Sequence, residues 1–320
     1  MINVRPIMQK TLTAPIHCTG IGLHSGVQAT LTLRPAPVDT GIVFRRQDGA
    51  KGFVEIKATW EHAVESALCT MLTDGAGTTV MTIEHLMAAI SGCGLDNAIV
   101  EINGPEVPAM DGSAAPFVAL IDSIGLIEQS RPRRFVKLLK TVEVAEGSAR
   151  VRLSPQNHFT VEFEIDFPSA AIGRQRTCLD VEPETFKEEF SDARTFGFLK
   201  EAEMLRKAGR ALGGSLDNTV VIDGDTILNA EGLRYEDEFV RHKALDAVGD
   251  LLLAGAPLLA RFEGVKSSHA LTRRLLAALF ADASAWTYVT CVAPAAAKEK
   301  VPSGVWNEDA VWAEPARALA

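Results

Sequence analysis

Over the first sixty positions apolar residues either alternate with polar ones or gather in short runs broken by Gly and Ser. IHCTGIGLHSGVQATLTLRPA, VFRRQDG and FVEIKATW therefore read as strands. The period then changes. In TTVMTIEHLMAAISGCG, Val80, Ile83, Met87 and Ile90 recur at helical spacing, with Thr79 a candidate N-cap and Gly92 a stop. NAIVEI returns to the strand pattern and PFVALIDSIG to the helical one. The polar, proline-bearing IEQSRPRR at 127–134 reads as a break between domains. Beyond it FVKLLKTVEV, ARVRLS and FTVEFEIDF are strand-like. A helix is expected around 236–254, then a strand at PLLARFEG and a helix at HALTRRLLAALF.

Each half thus runs strands, helix, strand, helix, which predicts an α+β fold of two similar domains, although no residue-level repeat accompanies the pattern. The expected limits are 1–128 and 133–305, with 306–320 a flexible tail. FLKEAEMLRKAGRAL, 198–212, predicts an additional helix in the second half, with Phe198, Ala202 and Leu205 on one side. Such a stripe either packs on its own domain or lines a channel for an apolar chain.

Composition narrows the class. With 320 residues, 47% hydrophobic and 23% charged, the chain can bury two cores and is not disordered. A net charge of −9 argues against nucleic acid as a partner. The five cysteines, Cys18, Cys69, Cys93, Cys178 and Cys291, lack CxxC or framework spacing, as expected of reduced thiols. No apolar run is long enough to span a bilayer. A cytoplasmic enzyme is expected.

Candidate chemistry lies on the helices. In VRHKALDAVGD, His242, Asp246 and Asp250 recur every four residues, so neighbours are about 40° apart around the axis, on the side away from Val240, Ala247 and Leu251. Such a stripe is either two arms of a metal site or the wet face of a surface helix. In IEHLMAA, His85 lies nearly opposite the apolar stripe and Glu84 on its border, so both can face outward, and a solvated pair is the ordinary reading. In combination, however, His85, His242 and Asp246 supply two imidazoles and one carboxylate, a set that suits catalytic zinc with one position left for water. Glu84 could take a proton from that water. The order is not HExxH, and the ligands lie in both halves. His269 in KSSHAL follows Ser267 and Ser268, candidate caps, and needs a carboxylate, for which Asp250 is the candidate, to stay charged against the helix dipole. Thr195 in DARTFGF and His24 in GIGLHSG are unspecific alone.

GIGLHSG, LCTML, TIEHLMAAISGCGLDNAIVEINGPEVPAMDGSAAPF, ARTFGFL, LGGSLDN, FVRHKALDAVGDL and KSSHAL, in that order over residues 20 to about 280, resemble the UDP-3-O-acyl-N-acetylglucosamine deacetylase family, zinc enzymes of lipid A synthesis. The resemblance implies two α/β sandwich domains related by duplication, with helices packed between the two sheets. It implies one catalytic Zn2+ per chain, with Fe2+ as an alternative ion, held by His85, His242 and Asp246. Glu84 becomes the general base, His269 a cation oriented by Asp250, and Thr195 an oxyanion donor. Lys243, Lys266, Phe196, Leu23, Asp166 and Phe167 become contacts of a UDP-linked acylated amino sugar. The insert at 197–220 becomes a wall of the acyl passage, and a monomer is expected. Within it Ala202, Ala211 and Asn218 stand where the family often has larger or sulfur-bearing residues.

Overall fold

Every second side chain of the strand Gln28–Pro35 is buried: Ala29, Leu31 and Leu33 face a core while Thr30, Thr32 and Arg34 remain at least partly exposed. The computed structural model describes residues 6–49, 52–66 and 68–290, and the alternation recurs in the strands Ala98–Ile102 and Leu258–Val265 but not in every strand. The expected tail at 306–320 and Cys291 lie outside the described residues.

The first half contains β1 (Met8–Leu12), β2 (Ile16–Ile21), β3 (Gln28–Pro35), β4 (Ile42–Asp48) and β5 (Gly52–Lys57). There follow a small three-stranded sheet of β6 (Ala63–Val64), β7 (Met71–Thr73) and β8 (Thr79–Met81), then α1 (Glu84–Cys93), β9 (Ala98–Ile102), α2 (Ala115–Ile124) and β10 (Leu126–Pro132). The second half has β11 (Phe135–Leu138), β12 (Val142–Glu146), β13 (Ala149–Pro155), β14 (Phe159–Asp166), β15 (Arg174–Asp180) and α3 (Pro183–Glu189). An insert of β16 (Phe196–Phe198), α4 (Leu199–Lys207), β17 (Val220–Asp223) and β18 (Thr226–Ile227) leads to α5 (Glu238–Leu251), β19 (Leu258–Val265), α6 (His269–Ala281) and β20 (Trp286–Val289).

The halves share one topology. Strands run β2-β3-β9-β4-β5 in the first sheet, and the seven-stranded second sheet contains the matching run β12-β13-β19-β14-β15, with β11 and β20 joined to it through β19. In both, the central strand is antiparallel to one neighbour and parallel to the other: β9 to β3 and β4, β19 to β13 and β14. In both a helix precedes that strand and another follows it, and β1 pairs antiparallel with β10 as β11 does with β20. Duplication is therefore visible in the hydrogen-bond ladders although it is not visible in residue identities.

Helices α5 and α6 pack on strands of the second sheet, and α1 meets α5 between the halves. They approach closely at one residue. A Cβ added to Gly249 would lie 2.0 Å from the carbonyl oxygen of Glu84 and 3.0 Å from the nitrogen of Ala88, so only glycine permits this contact. Because the obstacle is backbone, Gly249→Ala must push α1 from α5. It is expected to cost about 1–3 kcal/mol and to separate the side chains the two helices share, read as a lower thermal midpoint and weaker metal retention. A midpoint and metal content unchanged by the substitution would contradict this packing.

Three expectations are corrected. The first helix begins at Glu84, because Thr79–Met81 pairs antiparallel with β7 and Thr82 takes a left-handed φ of 57°. IEQSRPRR is no plain linker, since β10 runs to Pro132 against β1. The insert helix ends at Lys207; Phe198 belongs to β16, and residues beyond 207 turn back through Gly209, whose φ is 74°. By contrast Ser268 caps α6, its hydroxyl accepting from the amide of Leu271 at 3.4 Å.

Candidate active site and metal centre

The polar stripe of α5 is not wet. His242, Asp246 and Asp250 are buried, as are Glu84 and His85 on α1, because the stripe faces the opposing helix. Burying so many ionisable groups costs free energy unless each finds a partner, and their pairing defines the site.

Ligand atoms of His85, His242 and Asp246 lie within 4.8 Å of one another. The two imidazoles stand edge to face, ring centres 4.9 Å apart. Both Nε2 atoms are 3.5 Å from Asp246 Oδ1, which is buried and has no hydrogen-bond partner among the described residues. His242 Nδ1 donates to the carbonyl oxygen of Ala193 at 3.0 Å, which turns Nε2 toward that orphaned oxygen. Burial holds the His242 pKa down to about 4, so it is neutral and a lone pair is available. For Asp246, burial opposes ionisation, but His242, Lys243 and His85 outweigh it and keep the carboxyl well below the usual range. Burial likewise opposes charge on His85, yet its contact with Asp246 raises its pKa. Two nitrogens and one oxygen converging on a point where an oxygen lacks a partner fit a divalent cation.

Beside this triad lie two further buried ionisable groups, Glu84 and His269. Burial raises the Glu84 pKa to about 7, against the pull of His269 and His85. His269 starts α6, its Nδ1 2.8 Å from Asp250 Oδ2 and its Nε2 3.9 Å from Glu84 Oε1 and 4.0 Å from Asp246 Oδ2. Burial opposes its charge, but Asp250, Glu84 and Asp246 lift its pKa to about 9. The carboxylate sought for His269 in the sequence is thus in contact with it. Thr70, which no local pattern singles out, bonds both sides: its amide donates to Glu84 Oε2 at 3.0 Å and its hydroxyl to Asp250 Oδ1.

Glu84, His85, His242, Asp246 and His269 line a cavity of about 1320 Å³, together with Leu23, Phe167, Thr195, Phe196 and Lys243. Asp250 stands behind His269. Lys266 and Asp166 are not on the wall; they pair at 2.7 Å between half-exposed side chains, next to Ser267 and Phe167, which are. Lys243 Nζ is 3.3 Å from Asp246 Oδ2. Ala202, Leu205, Ala211 and Leu228 add apolar side chains to the cavity lining, alongside Lys200, Glu201 and Arg206 of α4. Asn218 is buried beside it, its Nδ2 donating to the carbonyl oxygen of Gly213 at 3.0 Å.

A sequence profile described as LpxC, UDP-3-O-acyl N-acetylglycosamine deacetylase, matches residues 9–281. The chain belongs to this deacetylase family. A UDP-3-O-acyl-N-acetylglucosamine deacetylase of Phenylobacterium zucineum (strain HLK1) is 51% identical over 280 residues, covering 88% of this chain and 96% of that protein. Similar relatives of the same name occur in Stenotrophomonas maltophilia (strain K279a), 49% identical over 90% of this chain and 95% of that one, and in Thioalkalivibrio sulfidiphilus (strain HL-EbGR7), 50% identical over 89% and 93%. As a member of the family the chain is an amide hydrolase.

Two supports of this site lie in the quoted motifs without any local sign of their role. Arg194, 2% exposed, is enclosed by Glu238 through its amide and Nε, both at 2.9 Å, and by Glu231 at 2.7 Å. This buried pair fixes Thr195 to the start of α5, 44 residues later. Glu106, fully buried, accepts from the amides of His24 and Ser25 at 2.9 and 2.7 Å and from the Thr82 hydroxyl at 2.7 Å, seating GIGLHSG on the cavity rim. The only local signal was a charged residue in an apolar setting; its partner could not be read. Gly112 completes the frame, with φ 85° and its own carbonyl accepting from the Thr195 amide at 2.8 Å.

Proposed function

We propose that the chain hydrolyses the N-acetyl group of a UDP-linked, 3-O-acylated N-acetylglucosamine, releasing acetate and leaving a free amine, with Zn2+ held by His85, His242 and Asp246 and Fe2+ as the alternative ion. The observation that carries this reading is the unpartnered Asp246 Oδ1 facing two imidazole Nε2 atoms on the wall of a cavity whose lining mixes apolar side chains with charged ones. Such an ion acidifies a water toward a pKa of about 7 and polarises the acetamide carbonyl.

The protein's own groups do the rest. Glu84 accepts the proton of the attacking water, its Oε2 anchored by the Thr70 amide. The Thr195 hydroxyl donates to the developing oxyanion. His269, protonated and steadied by Asp250, faces the reacting region with Nε2, stabilises the negative charge and gives its proton to the departing amine. Lys243 lies where the polar end of the sugar would rest. The Lys266–Asp166 pair is exposed, so little is lost if Lys266 exchanges its partner for a diphosphate oxygen. Phe167, whose ring centre is 5.8 Å from that of Phe196, offers an apolar face to the nucleotide or sugar, and Leu23 stands at the mouth of the passage. Both halves of the site come from one chain, which supports a monomer as the active unit. Free Cys18, Cys69, Cys93 and Cys178 support a cytoplasmic location.

Metal analysis of the purified protein combined with acetate release from the UDP-linked acyl sugar tests the proposal. Stoichiometric Zn2+ or Fe2+ and turnover are expected, and a protein with metal but no acetate release and no binding of UDP would overturn it.

Activity should follow a bell-shaped pH dependence. Glu84 acts when deprotonated, so the rate rises with pH through its pKa; His269 acts when protonated, so the rate falls above its own. A bound dication lowers both values from about 7 and about 9. His269→Ala should abolish the descending limb. It should also move the ascending limb to higher pH, because the imidazolium helps keep Glu84 ionised. A variant profile that superimposes on the parent's after scaling removes His269 from the chemistry.

A further inference from the structure

We infer that Thr70 is a positioning residue that aligns the proton-handling groups of the two halves: it ties the His269–Asp250 pair of the second half to Glu84 of the first. The inference rests on the proposed roles of Glu84 and His269 and adds a residue that acts through them.

Thr70 sits immediately before β7, buried between the small sheet and the start of α6. Its backbone amide donates to Glu84 Oε2 at 3.0 Å, and its hydroxyl donates to Asp250 Oδ1. The hydroxyl oxygen is also 3.2 Å from His269 Nδ1. Since its proton is given to Asp250, this oxygen can only accept, and Nδ1–H is shared between Asp250 Oδ2 at 2.8 Å and Thr70 at 3.2 Å. Three consequences follow from the geometry. The two oxygens of Asp250 are divided, one to Thr70 and one to His269, which stops the carboxylate rotating about its terminal torsion. The imidazole is fixed with Nδ1 as the donor, so Nε2 is the nitrogen presented to Glu84 and the cavity. Finally, base and acid are referred to one residue, so the 3.9 Å between Glu84 Oε1 and His269 Nε2 is set by Thr70 as well as by the helices.

Thr70→Val preserves shape and the amide bond to Glu84 but removes the hydroxyl; Thr70→Ser restores it. Groups that orient such side chains contribute about 10- to 100-fold to activity. Thr70→Val should therefore lower kcat by about that factor with KM and metal content unchanged, and Thr70→Ser should recover most of kcat whatever its thermal midpoint. In an Asp250→Ala background Thr70→Val should have almost no further effect on kcat, because the group it acts through is gone. That pair also serves if Thr70→Val alone folds poorly, since no buried carboxylate is then left unpaired. The inference fails if folded Thr70→Val turns over within about twofold of the parent, if Thr70→Ser does not restore kcat, or if the two substitutions are additive. Failure of the deacetylase reading itself looks different: the parent protein would release no acetate.

Discussion

Glu84→Gln should retain the metal and lose most of its turnover, with kcat about 100- to 10,000-fold lower, the contribution of a positioned general base. The isosteric amide fills the same volume at a site only 3% exposed, so no cavity is opened. Its carboxamide oxygen still accepts from the Thr70 amide. What disappears is a basic oxygen 3.9 Å from His269 Nε2, at the end of α1 that carries His85. Measured metal stoichiometry should match that of the parent protein, and KM should shift little. A loss of metal as large as the loss of rate would mean that Glu84 holds the cation instead of handling a proton, and the division of labour between Glu84 and His85 would have to be abandoned.

His242→Ala should lose both. It removes one of two imidazoles that face Asp246 Oδ1 at 3.5 Å and leaves a buried carboxylate with fewer compensating neighbours. The remaining pair, His85 and Asp246, offers two ligand atoms where a tight site needs three or more from the protein. The difference can be read without an assay of catalysis. In the parent protein a ligand bound only to the folded state stabilises it by about 2.7 kcal/mol at a hundredfold excess over Kd, so a chelator should lower the thermal midpoint. In His242→Ala the chelator should do nothing, since there is little metal to remove. A variant that keeps stoichiometric metal, or whose midpoint still falls with chelator, contradicts the ligand set.

These effects explain which parts of the site could be read along the chain. The stripe His242, Asp246, Asp250 is local, fixed by the 3.6-residue helical period, and so is the adjacency of Glu84 and His85. Their environment is not local. Charged stripes on helices usually face water, and the one local hint to the contrary is Gly249, whose missing side chain permits the approach of the Glu84 backbone without naming which helix approaches. Thr70 and Arg194, although inside LCTML and ARTFGFL, could be given no role for the same reason: their partners are 180 and 44 residues away. The family resemblance supplied roles where local pattern left alternatives open, but it did not place Lys266 and Asp166 against one another.

Periodicity, turn residues and residue type determined by themselves that this is an α+β protein with two halves of similar order, and offered the histidines and carboxylates of two helices as candidates, because those properties depend on spacing over a few residues. Helix limits were less secure where β pairing competed, as at Thr79–Met81. Only the tertiary structure decided that the two polar stripes face each other in a buried seam, that Asp246 keeps an oxygen without a hydrogen-bond partner among the described residues, and that Thr70 bonds both Glu84 and Asp250. The physical reason is that desolvation and convergence belong to pairs of elements far apart in the chain, and burial is what turns an ordinary row of histidines and carboxylates into groups with altered proton affinity.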